Sequence, residues 1–208
     1  RGHWDTLEWF SNKKIDFENY FLLGDYTQCH SLLNEIKDKI GVSLWYYEAK
    51  SLLFEYEGKS KDGLTYISEI LHECSNNNNY LLSLLYNLYE RCHKRVSPFK
   101  YDEDLNALYK RNRTELHEDY YQYVLYRLNY YNQYQNTDLS LPIMFESLSA
   151  LVDRYLMVVS IIKSALIQIP DDTIIRSKGC YLYGKTKDRA LISVMALGNR
   201  KIDNYVNE

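Results

Sequence analysis

The chain has 208 residues, 46% of them hydrophobic, with 25 Lys and Arg against 28 Asp and Glu for a net charge of −3. That balance leaves no electrostatic footprint for duplex nucleic acid, and the longest apolar run, Leu156 to Ile162, is too short to cross a bilayer. With only 8 Gly and 3 Pro among so many residues, helices are favoured over sheets.

The first predicted element is a short amphipathic helix over Trp4–Phe10, followed by a second over Ile15–Leu23 that stops at Gly24-Asp25, a turn pair. Tyr26–Ile40 is the third, with Cys29, Leu32, Leu33 and Ile36 on one stripe and Gly41 in the position glycine favours after a helix. Ser43 caps a fourth helix through Trp45, Ala49 and Leu53 to about Glu57, and Gly58 breaks it. Leu64, Ile67, Ile70 and Leu71 form the next stripe, and the Ser75–Asn79 run is a polar loop. Tyr80 to about Arg95 is an apolar helix ended by Ser97-Pro98.

A long helical stretch then starts at Asp102 or Asp104 and runs toward Tyr134. After a loop at Asn136–Asp138, the pattern predicts helix from Leu139 to about Ile169, with Pro142 in its first turn. Residues 173–208 hold one or two further helices, with strand-like alternation only at Thr173–Ile175. The expectation is a single all-α domain over 1–208. Its repeat-like units lie at 15–74, its long Tyr-rich helices at 80–169 and its C-terminal helices at 173–208, and the whole reads as a piece of a larger protein. Cys29, Cys74, Cys92 and Cys180 lack a framework of short spacings and read as reduced thiols of a cytoplasmic protein.

Sliding the sequence by thirty-four residues places Gly24 on Gly58, Tyr20 on Phe54, Leu33 on Ile67 and Ile36 on Ile70. A helix–turn–helix unit of that period cannot bury its apolar face alone and stacks on a neighbour. Around Gly24-Asp25-Tyr26, with Cys29 as the small residue five positions on, the pattern resembles the tetratricopeptide repeat. The second unit has Ser51 and Phe54, then Gly58, Gly63, Ile67 and Ile70. The small residue lets the second helix of a unit approach the first closely. The match departs at Phe17, where a small residue belongs. It also loses the Gly near Leu88 and Cys92, and it resumes weakly at Gly184, followed by Ala190.

The resemblance implies antiparallel helix hairpins stacked as a right-handed superhelix that binds a protein or peptide as scaffold, adaptor or sensor. Its concave wall would come from the first helix of each unit, which places Asn19, Tyr46, Tyr47 and Lys50 as the candidate peptide-binding residues. No cofactor and no metal are expected.

One segment points elsewhere. Arg111-Asn112-Arg113-Thr114-Glu115-Leu116-His117 resembles the motif of the HEPN ribonucleases. That likeness implies a dimeric, metal-independent cleavage of RNA, with Arg111 stabilising phosphate charge and His117 as acid or base. The alternative is a solvated helix turn in which Arg111 and Arg113 pair with Glu115 or Glu118. A purely structural dimerisation domain is a third reading.

His72, Cys74, Cys92 and His93 are metal-type residues, but their helical placement opposes a shared zinc. Neither a phosphate-binding Gly loop nor a nucleophile elbow is present. Tyr123, Tyr126 and Tyr130 share a stripe suited to packing between neighbouring helices. Lys185, Lys187 and Arg189 give the tail a locally basic face.

Overall fold

The computed structural model describes residues 2–74, 150–169 and 171–196, together with Tyr89, Cys92, Lys100, Glu103 and Ala107. Every regular element among these residues is helical, as the composition demands. Seven helices have defined bounds: α1 (Gly2–Leu23), α2 (Tyr26–Ile40), α3 (Leu44–Tyr56), α4 (Ser60–Cys74), α5 (Leu151–Gln168), α6 (Thr173–Thr186) and α7 (Arg189–Ala196). None is both long and apolar enough to cross a membrane.

The two helices expected before Gly24 are one. Nothing between Trp9 and Ile15 breaks a helix, Phe10 and Ser11 are buried on its core side, and Lys14 pairs with Glu18 one turn on. Ala150 stands at φ −59°, ψ 151°, so the predicted 139–169 helix is interrupted, and its described part starts at Leu151. The strand-like Thr173–Ile175 is instead the first turn of α6, because the Asp172 side chain accepts the N–H groups of Ile174 and Ile175. Gly184 does not open a turn. It lies inside α6, which ends at Lys187 in the left-handed conformation, φ 52°.

The two amino-terminal hairpins end their first helices in the same way. Gly24 N–H bonds Phe21 C=O and Asp25 N–H bonds Tyr20 C=O; Gly58 N–H bonds Glu55 C=O and Lys59 N–H bonds Phe54 C=O. Each pair is a Schellman closure around a glycine at φ 75° or 77°, a region that costs glycine little and other residues more. The next bond repeats too: Cys29 N–H to Asp25 C=O, and Gly63 N–H to Lys59 C=O. All of these atoms are related by the thirty-four-residue shift.

The small position is under steric demand in both units. A Cβ on Gly63 would lie 3.1 Å from Phe54 Cβ and 3.2 Å from the Tyr89 ring. Cys29 is fully buried, its thiol 3.7 Å from Phe17 C=O. Burial, reinforced by the Asp25 charge, pushes that thiol up to about 11, which keeps it protonated and unreactive at neutral pH.

Packing follows the chain from α1 to α2 to α3 to α4, and then the C-terminal helices return. α5 packs on α1 and α3, α6 on α1 and α5, and α7 on α5 and α6. One core joins Phe17, Cys29, Leu33, Tyr46 and Leu53 within the hairpins. A second joins Leu7 and Phe10 of α1 to Val152, Tyr155 and Val159 of α5 and Leu191 of α7, and Trp45 touches both. Each such side chain contributes about 1.5–3 kcal/mol on burial.

Two buried carboxylates tie the return in place. Asp153 of α5 accepts the N–H groups of Leu44 at 2.9 Å and Trp45 at 3.1 Å, capping α3 from across the fold. Asp188 accepts the Tyr155 hydroxyl and the Ala190 N–H, both at 2.9 Å, and so begins α7. Burial, with the nearby Asp188 charge adding to it, holds the Tyr155 phenol well above its ordinary range.

Candidate functional site

The return of α5 leaves a cleft of about 520 Å³ between α1, α3 and α5, within the size range of ligand sites. Each helix contributes one stripe at turn spacing. From α1 come Lys14, Phe17, Glu18, Phe21 and Leu22; from α3, Trp45, Glu48, Ala49 and Leu52; from α5, Leu156, Val159, Ser160 and Lys163. Asp188 and Ala190 border it from the start of α7. Lys14 and Glu48 stand thirty-four residues apart, as do Glu18 and Leu52. The wall therefore uses equivalent positions of the first helix in both hairpins.

The interior is aromatic and aliphatic. Phe10 and Phe17 meet the Trp45 ring edge-on at 5.1 and 5.6 Å between centroids, which fixes the indole against the wall. Leu22, 82% exposed, forms an open apolar lip. Lys14 is engaged by Glu18, whereas among the described residues Lys163 meets no carboxylate at ion-pair distance. Ser160 Oγ is buried with no hydrogen-bond partner. A cleft with apolar walls and mixed charges at its edge has the character of a groove for an extended apolar segment rather than of a pocket for a small charged substrate.

The residues singled out from the sequence fall elsewhere or apart. Asn19 is exposed on α1 and is not part of this wall. Tyr46 is 2% exposed and packs in the hairpin core, so its ring is closed to a ligand. Tyr47 and Lys50 lie toward α4, where the Lys50 ammonium sits 4.2 Å from the Tyr66 ring centre and the Tyr47 ring is 6.2 Å from the same ring. Burial, and then the charge of Lys37, lowers Lys50 below an ordinary lysine. Arg111 and His117 lie outside the described residues, as does the Tyr120–Tyr134 run. Of the metal-type residues, His72 is exposed and Cys92 is buried with its thiol 3.8 Å from Glu48 C=O. Among the described residues no group of three or more His, Cys, Asp or Glu is placed to hold a metal.

The sequence reading places Leu22 and Leu52 on helices but names none of the cleft residues Leu22, Glu48, Leu52 and Lys163 as binding residues. Their signal was present for α1 and α3, because the shift that aligns Gly24 with Gly58 also aligns Lys14 with Glu48 and Glu18 with Leu52. No such signal exists for α5, which reaches the wall from about a hundred residues downstream. Comparison with protein-family profiles, with curated proteins and with solved structures found no match to this chain.

Proposed function

We propose that the chain is a protein- or peptide-binding module built on two tetratricopeptide-like hairpins, acting as a scaffold, adaptor or sensor region, and that its ligand is a polypeptide segment lying in the α1–α3–α5 cleft. The observation that carries this reading is the cleft wall itself. It is drawn from equivalent positions of both hairpins, it is rich in aromatic and aliphatic side chains, and it opens at Leu22. Apolar anchors within a polar rim are what peptide grooves use for affinity and register.

The inner face belongs to the first helix of each unit, as the resemblance implies, but the gripping residues differ. Lys163 of α5 and the Leu22 lip take the place of Asn19 and Lys50. The test is selection of peptides from a random display library on wild-type protein, with the selected peptides then measured against Leu22→Asp. Leu22 is so exposed that this change leaves folding intact. It should weaken the selected peptides by about ten-fold, the effect of losing about 1.4 kcal/mol of apolar contact. Peptides that bind Leu22→Asp as well as wild type, or a library that yields none, would overturn the reading.

A further inference from the structure

A second surface lies on the opposite side of α5. Val158, Ile161, Ile162 and Ala165 of α5 face Ile175 and Leu182 of α6 across a groove of about 760 Å³, with Ser177, Lys178 and Tyr181 on its α6 bank. The connection between the two helices is only Ile169–Asp172, so they run antiparallel as neighbours. Their groove-facing residues recur at i, i+3, i+4 and i+7 over about two turns. That is the shape of a seat for a third helix laid between two.

The bank of this groove carries an exposed stripe of Ile174, Lys178, Tyr181 and Lys185, with Ile174 67% and Tyr181 58% exposed. The Lys185 ammonium lies 5.7 Å from the Tyr181 ring centre. The α6 bank is basic along its length, whereas Asp171 and Asp172 stand before its first turn in the connection, Asp172 bonded to the N–H groups of Ile174 and Ile175. α6 carries Arg176, Lys178 and Lys185 and no acidic residue. The sole carboxylate of α5, Asp153, is buried and bonded to the start of α3. Among the described residues, Lys178, on the groove bank, has no carboxylate at ion-pair distance.

We infer that the α5–α6 groove docks an amphipathic helix of a protein partner whose apolar stripe is flanked by Asp and Glu. The apolar floor selects a helix side over a nucleic-acid backbone, and the basic α6 bank, with Lys178 and Lys185, selects an acidic flank and steers its approach. A second copy of this chain would bring the same cations into opposition in an isologous pairing. The groove is separate from the α1–α3–α5 cleft, so the module would hold two partners at once.

The test uses two fluorescently labelled peptides of about sixteen residues with one Leu stripe, flanked by Glu in one and by Lys in the other. Anisotropy should show the Glu-flanked peptide binding the wild-type chain at least about ten-fold more tightly. Ile174→Asp should weaken it by about ten-fold with an unchanged circular dichroism spectrum. The Lys178→Glu/Lys185→Glu double variant should reverse the preference toward the Lys-flanked peptide, a gain that misfolding cannot produce. Leu22→Asp should leave all of these affinities unchanged, so this surface and the cleft succeed or fail independently.

Equal affinity for the two peptides, binding of neither, or indifference to Ile174→Asp would overturn the inference. So would tighter binding to anionic phosphatidylserine vesicles or to single-stranded RNA than to the Glu-flanked peptide, or self-association of the chain that excludes it.

Discussion

Asp153→Ala tests whether the returning helix holds the cleft wall in place. In the wild type, Asp153 is 1% exposed, and its two oxygens accept the N–H groups of Leu44 and Trp45. Ser43 independently caps α3 through the N–H of Tyr46, so the helix itself persists in the variant. Two donors are nonetheless left buried without an acceptor, at about 1–3 kcal/mol each. The lost attraction between the carboxylate and the positive end of α3 adds about 0.3–1 kcal/mol. The expected total is about 4 kcal/mol, with a fall in melting temperature of about 8–16 °C for a chain of this size.

Asp153→Asn keeps one acceptor and turns a donor toward the other N–H, so it should cost about half as much. Urea denaturation followed by far-ultraviolet circular dichroism measures both. Hydrogen exchange at Leu44 and Trp45 should accelerate in the alanine variant relative to Tyr46, whose cap remains. A loss below about 1 kcal/mol, or an asparagine variant as stable as wild type, would show that α5 does not anchor α3.

Three further outcomes follow from the same structure. Gly63→Ala should destabilise by about 1–3 kcal/mol, because the new methyl meets Phe54 and Tyr89 at overpacked distances, whereas Gly184→Ala, with nothing within 4 Å, should stabilise by about 0.5–1 kcal/mol; chemical denaturation of both variants decides it, and equal signs would contradict the packing. Burial alone would raise the Glu57 carboxyl, but hydrogen bonding to and the charge of His30, and then Lys59, hold it net below its ordinary value of 4.5, so its stabilisation is complete above that pH and is lost as pH falls through the lower folded value. Acid unfolding of Glu57→Gln should therefore show a shallower decline below about pH 4.5 than wild type, and parallel curves would refute the linkage. Under the binding-module reading, purified protein should leave labelled RNA intact in EDTA; cleavage abolished by Arg111→Ala/His117→Ala would replace that reading with the ribonuclease one.

Local chemistry made much of the amino-terminal half legible. Asp25 and Ser43 each cap a helix through a side chain, and Gly24, Gly41 and Gly58 all stand at positive φ, so the boundaries of α2 and α3 follow from residue types alone. The boundaries that differ have non-local or non-glycine causes. α1 is continuous because its middle is buried against distant helices, and α6 passes through Gly184 and stops at Lys187, a residue type with no preference for the left-handed region. The thirty-four-residue shift identified both the repeated turn and the small position at Gly63. It did not identify the cleft, because a concave wall requires knowing what faces it, and α5 follows α4 only after a long intervening segment. Tyr46 shows the converse error: an aromatic on the first helix of a unit looks like a binding residue in sequence, yet that side of α3 is where α2 packs and closes it off.

The most direct test of the peptide-binding claim is a map of amide chemical shifts in isotope-labelled protein titrated with a library-selected peptide. The account predicts that the largest changes fall at Phe21, Leu22, Glu48, Leu52 and Lys163 around the cleft, with Trp45 indole fluorescence shifting in parallel. Changes confined to other surfaces, with those five amides and the Trp45 indole unmoved at saturation, would contradict it.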